Sequence, residues 1–286
     1  MSVPGRRVVG ALTGHMARAE RDLAALAREV DVVWEVADAR CPRASRNPRL
    51  ARICGDRPRV LVLTHTDRAE EDATRRWLAT LEPEVATVAV SLRGVPWSGR
   101  GDLEVATARA LARGQRPARP EGYRAVVAGM PNTGKSTLLN HVLGERRAHV
   151  GALAGVTRGR QWFHLPGGGQ LLDLPGVLAP RLGSWPATWR LWALEMLPSG
   201  LADDEAAGAE LATWLRVRVP RAVEGRYGID EDGPGEALLQ RLARARGLLA
   251  PGGLPRVAAA AQALRRDLRQ GLFGAVTLED PPAPSA

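Results

Sequence analysis

The chain has 286 residues, with 40 lysines and arginines against 31 acidic residues and a net charge of +9. This length suits one or two domains with a buried core, and no apolar run approaches the roughly 20 residues that would cross a membrane. We expect no signal peptide, and the two cysteines, Cys41 and Cys54, predict a reduced cytoplasmic protein without a zinc module.

Apolar runs bounded by turn residues predict six strands, at 31–38, 59–64, 85–91, 124–129, 160–165 and 170–174. Helical patterns lie between most of them, at 16–30, 44–54, 69–81, 100–114 and 135–144. This alternation predicts a doubly wound, mostly parallel six-stranded α/β sheet. Later helical patterns, at 186–197, 203–218, 234–249 and 256–270, predict a small all-α domain. The predicted organisation is a sheet domain at 1–183, a helical domain at 184–280 and a disordered tail at 281–286.

Charge is unevenly distributed in the helical part. Residues 203–237 hold nine acidic and four basic residues, whereas residues 241–270 hold seven basic and one acidic. An acidic segment followed by a basic one predicts a surface that faces a polyanion such as nucleic acid. An ordinary solvated helix face is the alternative.

A phosphate-binding loop, GMPNTGKS, occupies residues 129–136 between the strand AVVAG and the helix STLLNHVLGE. Its backbone N–H groups would surround the α- and β-phosphates, and Lys135 would reach the β- and γ-phosphates. Lys135 is the only lysine, since the other 39 cations are arginine, which indicates a position that arginine cannot fill. The residues predicted to bind phosphate are Asn132, Thr133, Gly134, Lys135, Ser136 and Thr137.

The segment DLPG at residues 173–176 follows a predicted strand, 37 residues after Ser136. Asp173 and the Ser136 hydroxyl would hold Mg²⁺, and the Gly176 N–H would contact the γ-phosphate. Thr157 lies in the loop between the two motifs and would close on Mg²⁺, unless it is a plain loop residue.

The residue after Gly176 is Val177, which cannot orient a water molecule, so unaided hydrolysis should be slow. His15 precedes the first predicted helix and could approach the phosphates. From spacing alone, a simple helix-start residue is the alternative interpretation of His15.

A candidate guanine-reading motif, Thr64-His65-Thr66-Asp67, follows the strand at 59–64, and Ser91-Leu92-Arg93 follows the next strand as a possible base loop. A linear GTPase places the phosphate loop first and the base motif last. The reversed order predicts a circular permutation, which keeps the site intact because the ends of parallel strands converge at one sheet edge.

With these motifs the chain resembles the circularly permuted GTPases of the ribosome biogenesis GTPase A (YlqF) type. The resemblance covers nearly the whole chain and includes GHMARA, DARCPRASRNP, GMPNTGKSTLLN, GVT, LLDLPGV and DLRQGLFGAVTLE. It implies a circularly permuted P-loop GTPase domain and a helical domain, with GTP or GDP and Mg²⁺ bound.

The resemblance also implies binding to a late precursor of the large ribosomal subunit and release on hydrolysis, with the protein itself a monomer. His15 would assist hydrolysis and Asn132 would help to bind K⁺. The helical domain would contact ribosomal RNA through arginines, namely Arg241, Arg244, Arg265, Arg266 and Arg269.

Two departures from the family pattern bear on these expectations. Ala11-Leu12-Thr13 replaces the usual Trp-Phe-Pro before His15, and Thr64-His65 replaces Asn-Lys. The asparagine normally ties the base motif to the phosphate loop, and the lysine lies along the base. Asp67 is retained and could pair with the guanine N1–H and amine. Together with Ser91 and Leu92 these residues predict guanine preference with weakened affinity.

Three alternatives compete with an assembly GTPase. One is a nucleotide-dependent RNA-binding scaffold with little hydrolysis and relaxed guanine specificity. A permuted GTPase of the small-subunit type would need an N-terminal barrel or a zinc module, for which the sequence offers neither space nor cysteines. A P-loop kinase would leave Asp67 and the DLPG segment unexplained.

Overall fold

The computed structural model describes residues 21, 24, 25, 27–47, 49–93, 97–114, 122–144, 161–166, 168–173, 185–230 and 232–282. By its internal contacts the chain divides into two compact units. The first comprises Met1–Pro180 with Glu279–Ala286, and the second comprises Arg181–Leu278.

The first unit contains a six-stranded sheet. Its strands are β1 Val32–Asp38, β2 Arg59–Thr64, β3 Ala86–Ala89, β4 Arg124–Gly129, β5 Gln161–His164 and β6 Gln170–Asp173. Their spatial order is β3-β2-β1-β4-β6-β5, and every pairing is parallel except that of β5 with β6. The α-helices of this unit whose two ends both lie in the described residues are α1 Leu50–Cys54, α2 Glu71–Leu81, α3 Arg100–Arg113 and α4 Lys135–Leu143. The mostly parallel six-stranded sheet predicted from the sequence is confirmed.

Strand β1 lies between β2 and β4, and all seven of its residues are buried. Its sequence VVWEVAD is nearly continuous in apolar residues because helices and loops cover both faces of a parallel sheet. Glu35 is tolerated there because Arg46 binds its carboxylate with two hydrogen bonds of 3.0 Å. The Trp34 indole donates to the Thr107 hydroxyl at 3.1 Å, which joins β1 to α3.

The helix predicted at 44–54 is shorter in the structure, where it begins only at Leu50. Two side chains that lie just before this helix accept hydrogen bonds from backbone N–H groups. Ser45 Oγ accepts from Asp38 N at 2.9 Å, and Asn47 Oδ1 accepts from Arg49 N at 2.9 Å. Such local bonds stabilise turns at the expense of helix, and the prolines at positions 42 and 48 have no N–H to extend a helix.

The second unit is all-helical within its described residues. Its helices are α5 Trp185–Ala193, α6 Asp204–Arg218, α7 Ala222–Tyr227, α8 Gly235–Ala245 and α9 Val257–Gln270. Asp203 caps α6, because its carboxylate accepts from the N–H groups of Glu205 and Ala206 at 2.9 and 3.1 Å. Gly235 permits the close packing of α8 on α6, since a Cβ there would meet Ala209 O at 2.0 Å.

The short helix α7 was not predicted from the sequence. Tertiary contacts hold it, because Arg226 Nε and the Tyr227 hydroxyl both donate to the Asp267 carboxylate of α9 at 2.9 Å. Burial, followed by the hydrogen bond and charge of Asp267, raises the pKa of Tyr227. Arg246 also lies 3.6 Å from Asp267 and stacks on the Tyr227 ring, so this buried carboxylate joins three helices.

In the described part of the chain, we find no helix that combines the length and the apolar character needed to span a bilayer.

Candidate functional site

The phosphate loop joins β4 to α4, where the sequence predicted it. Asn132 and Gly134 both adopt left-handed backbone conformations, with φ of 58° and 88°. Alternation of left- and right-handed residues turns successive N–H groups toward one concave surface, which binds anions. Lys135 Nζ donates to the carbonyl of Met130 within the loop, and the buried Thr133 hydroxyl donates to the same oxygen at 2.9 Å. The loop therefore has the backbone form of a phosphate-binding loop.

Strand β2 is bound to this loop through Thr64. The Thr64 hydroxyl lies 2.7 Å from Thr133 O and 3.1 Å from Ala37 O, and the side chain is fully buried. A hydroxyl has one hydrogen, and the shorter distance favours donation to Thr133. In the family pattern an asparagine ties the base motif to the phosphate loop. In this chain the hydroxyl of Thr64, a shorter side chain, makes a bond between the end of β2 and that loop.

Replacing Thr64 by valine should test this bond, because valine keeps the shape and removes the donor. A buried carbonyl left unpaired costs about 1–3 kcal/mol, so Thr64→Val should lose roughly this stability in denaturant unfolding. GTP affinity should also fall, because the loop loses its fixed position against β2. Thr64→Ser keeps the hydroxyl and is the matched control. Equal stability of the valine and serine variants would contradict the assignment.

His65 lies over the phosphate loop with a left-handed backbone, φ 57°. A Cβ built on Gly134 would lie 3.5 Å from His65 Nε2 and 3.1 Å from the Leu92 methyl, so these side chains cover the loop closely. His65 Nε2 is also 3.9 Å from the Asp38 carboxylate. Burial lowers the pKa of His65, and the opposing effect of Asp38 is smaller. A neutral imidazole therefore occupies the position of the family's lysine.

Asp67 lies in a single helical turn, Thr66–Arg68, directly after His65. Its side chain is only 17% exposed, and its Oδ2 is 2.7 Å from Arg93 Nε and 3.6 Å from Arg68 Nε. The carboxylate predicted to read guanine is thus paired with an arginine from the predicted base loop. A guanine that approached Asp67 with its two N–H donors would have to displace or share this partner.

The base loop, Ser91–Arg93, is held by two residues that the sequence did not single out for a binding role. Trp97 Nε1 donates to Ser91 O at 2.9 Å, and His141 Nε2 lies 2.9 Å from Leu92 O. Trp97 and His141 also pack against each other, with ring centroids 5.7 Å apart. Because His141 belongs to α4, this contact connects the base loop to the helix that follows the phosphate loop.

A buried ion pair lies beside His65. Arg40 donates to Asp38 through Nε at 2.9 Å, through Nη2 at 2.7 Å and through its backbone N–H at 2.9 Å. Burial alone would raise the pKa of Asp38, but the charge and hydrogen bonds of Arg40 outweigh it and hold the pKa below its ordinary value. The first and third residues of Asp38-Ala39-Arg40 thus form a charge pair that supports the end of β1.

Removal of one partner should be costly. Arg40→Met leaves the Asp38 carboxylate buried without a counter-ion and should lower the free energy of unfolding by about 3–5 kcal/mol at pH 7. The double variant Asp38→Leu/Arg40→Met removes both charges and should recover much of this loss.

The difference between wild type and Arg40→Met should depend on pH. In the wild type the pKa of Asp38 is lowered, so its contribution is present above the ordinary value of 3.8 and disappears as pH falls through the folded-state pKa. In the variant, burial would raise the pKa of Asp38. Acid would therefore protonate this carboxyl and remove the cost of the unpaired buried charge. Denaturant unfolding between pH 7 and 3 should show the gap narrowing, and a constant gap would contradict this account.

The structure places only part of the remaining predicted site. Asp173 is the last residue of β6, which pairs with β4 and so ends at the same sheet edge as the phosphate loop. Ser136 and Thr137 lie in the first turn of α4 and are exposed, so they are accessible to a nucleotide and its metal ion. His15, Thr157 and Gly176 lie outside the described residues.

The five arginines predicted to contact RNA fall into two groups. Arg241 binds the carbonyls of Asp230 and Asp232, whereas Arg265 and Arg269 pair with Glu195. Arg244 and Arg266 are exposed, and the described residues offer neither of them a side-chain partner. The two groups are interleaved along α8 and α9, so the charge pattern of the sequence did not distinguish them.

Comparison with known proteins identifies relatives over almost the entire chain. The family described as "50S ribosome-binding GTPase" matches residues 124–197. Ribosome biogenesis GTPase A of Bacillus cereus is 31% identical over 280 residues, covering 94% of this chain and 92% of that protein. The protein of the same name from Thermotoga maritima is 30% identical, with 94% and 93% covered. The crystal structure of GNP-bound YlqF from T. maritima superposes with a TM-score of 0.67 at 25% identity, covering 92% and 98% of the two chains.

Proposed function

The chain belongs to the ribosome biogenesis GTPase A family and is a GTPase, and from this premise we propose that it acts on a late precursor of the large ribosomal subunit. In this proposal the protein is a cytoplasmic monomer that binds the particle while GTP is bound to the protein. Hydrolysis of the GTP releases the protein from the particle. Ribosomal RNA is the surface that the helical domain predicted at 184–280 would contact.

One observation carries the GTP site. The Thr64 hydroxyl joins the strand that ends in the base motif to the carbonyl of Thr133 in the phosphate loop. A base-reading carboxylate and a phosphate cradle that share a hydrogen bond form one binding surface for a nucleotide. Retention of Asp67 supports guanine over adenine, since a carboxylate can accept from the guanine N1–H and amine together, and adenine has no such donor pair.

Mg²⁺ fits the oxygen ligands available in this chain, namely Ser136, Thr157 and Asp173. When bound, it would neutralise charge on the β- and γ-phosphate oxygens. Lys135 would add its ammonium to the same oxygens, and the Gly176 N–H would contact the γ-phosphate. Asn132, exposed and left-handed at the loop, is the residue through which K⁺ would act.

Because Val177 cannot position water, we assign this role to His15. His15→Ala should leave GTP binding unchanged and remove particle-stimulated turnover, by about 10²–10⁴-fold if the histidine aids proton transfer or water placement. Single-turnover hydrolysis with and without large subunits measures this. If large subunits stimulated the turnover of His15→Ala as they do that of the wild type, His15 would be only a residue at the start of the first predicted helix.

The decisive experiment for the function is sedimentation with purified ribosomal subunits in GDP and in a non-hydrolysable GTP analogue. Co-sedimentation with large but not small subunits, stronger with the analogue, is the expected result. Turnover with large subunits in K⁺ and in Na⁺ is the companion measurement. Binding without any stimulation of turnover would favour the alternative, a nucleotide-dependent RNA-binding scaffold.

A further inference from the structure

A short hairpin joins α8 to α9 within a strongly basic stretch. Residues 237–266 contain six arginines and no acidic residue, and the hairpin at their centre, residues 247–256, reads GLLAPGGLPR. Its backbone is fixed by pairing of Leu249 with Pro255 and by the bond from Ala250 N to Leu254 O at 2.8 Å. The basic charge therefore surrounds a structured element.

The tip of this hairpin is apolar and exposed. From residue 247 to residue 255 no side chain can make a hydrogen bond. Leu249 is 43% exposed and Leu254 is 67% exposed. Single exposed leucines are common, but two of them on one rigid turn form an apolar projection that water solvates poorly.

Two arginines at the base of the hairpin are available to bind an anion. Arg244 lies in the last turn of α8, and Arg256, whose N–H donates to Leu248 O at 2.8 Å, directly precedes α9. Both side chains are exposed, and neither has a partner in the part of the chain that the structure describes. Arg246, between them, is instead drawn to Asp267 and the Tyr227 ring.

We propose that the 247–256 hairpin docks on RNA, with Arg244 and Arg256 on phosphates and Leu249 and Leu254 against unstacked bases. The proposal rests on the proposed function, because it assigns the ribosomal contact to one surface. A guanidinium binds phosphate through two hydrogen bonds, and apolar side chains pack well against bases that have left the stack. An acidic protein surface would satisfy the arginines but would place the leucines against charged groups.

Binding of the full chain to deproteinised large-subunit ribosomal RNA tests the surface. Leu249→Ser/Leu254→Ser should weaken binding by about tenfold, because buried leucine area is lost from the complex. Val105→Ser is the matched control, since Val105 is 55% exposed on α3 of the first unit. Arg244→Ser/Arg256→Ser should lower the slope of log affinity against log salt by about 1.5, as expected for two phosphate contacts. Arg52→Ser/Arg76→Ser, two exposed arginines of the first unit, controls for net charge.

A photo-crosslinker at Leu254→Cys identifies the occupant on the intact particle. The native cysteines, Cys41 and Cys54, are buried, so labelling is confined to the introduced thiol. Crosslinks to ribosomal RNA are expected. Crosslinks only to a ribosomal protein, or leucine variants that bind RNA as well as Val105→Ser does, would overturn the proposal.

Failure of the hairpin and failure of the proposed function give different results. A wild-type chain that binds free RNA through the leucines but never sediments with large subunits refutes the proposed function alone. A chain that sediments with them in the GTP state while its leucine variants bind RNA and particle normally refutes the hairpin alone.

Discussion

Lys135→Ala is expected to lower the affinity for GTP by about a hundredfold or more, because two charge-assisted hydrogen bonds to phosphate are lost. Isothermal titration with GTP and GDP measures this loss. The variant should still fold. Met130 O, which accepts from Lys135, also accepts from the Thr133 hydroxyl and so keeps a partner in the variant.

Lys135→Arg is the informative control, because it retains the charge in a chain where arginine supplies 39 of 40 cations. A planar guanidinium is larger than an ammonium and cannot act as a point charge inside the loop. We therefore expect Lys135→Arg to bind GTP nearly as poorly as Lys135→Ala does. Binding by the arginine variant within a few-fold of wild type would show that the solitary lysine reflects chance rather than geometry.

Asp67→Asn is expected to weaken GTP binding by about a hundredfold, since the guanine N1–H and amine lose a charged acceptor in a site that is largely shielded from water. The same variant should gain affinity for xanthosine triphosphate. Xanthine has a carbonyl where guanine has its amine, and an asparagine amide can donate to that carbonyl while accepting from N1–H. Competition of GTP, ATP and xanthosine triphosphate against a fluorescent nucleotide measures the exchange of specificity.

Arg93→Gln provides the control for this experiment. Arg93 pairs with Asp67 at 2.7 Å, and its side chain is 63% exposed, so we expect it to compete with guanine for this carboxylate and to contribute little to the fold. The variant should bind GTP at least as well as wild type. If GTP and ATP displaced the fluorescent nucleotide equally from the wild-type chain, the guanine assignment would be lost.

The base motif shows that the identity of the residues in a motif does not by itself predict the contacts that they make. The replacement of Asn-Lys by Thr64-His65 led us to predict guanine preference with weakened affinity. In the structure Thr64 is buried where β2 passes the loop, and its hydroxyl reaches Thr133 O without the extra length of an amide. Whether a short donor is sufficient depends on the distance between the end of β2 and the phosphate loop, and that distance is not a property of the motif.

The arginines of the helical unit likewise have partners that the sequence pattern does not predict. Their sequence spacing predicted one basic surface, yet Glu195 takes Arg265 and Arg269, and backbone carbonyls take Arg241. Glu195 precedes these arginines by about 70 residues in the chain, so no local pattern could reveal the pairing.

By itself the sequence determined the sheet, its strands, the phosphate loop and the permuted order of the motifs. These features depend on local properties, namely apolar runs, turn residues and a glycine-lysine-serine motif between a strand and a helix, and local properties can be read directly. The tertiary structure alone decided the partners of polar groups that are distant in the chain, such as Thr64 with Thr133, Asp67 with Arg93 and His141 with Leu92. Hydrogen bonds and ion pairs form only over a few ångströms, so which residues make them depends on how the elements pack.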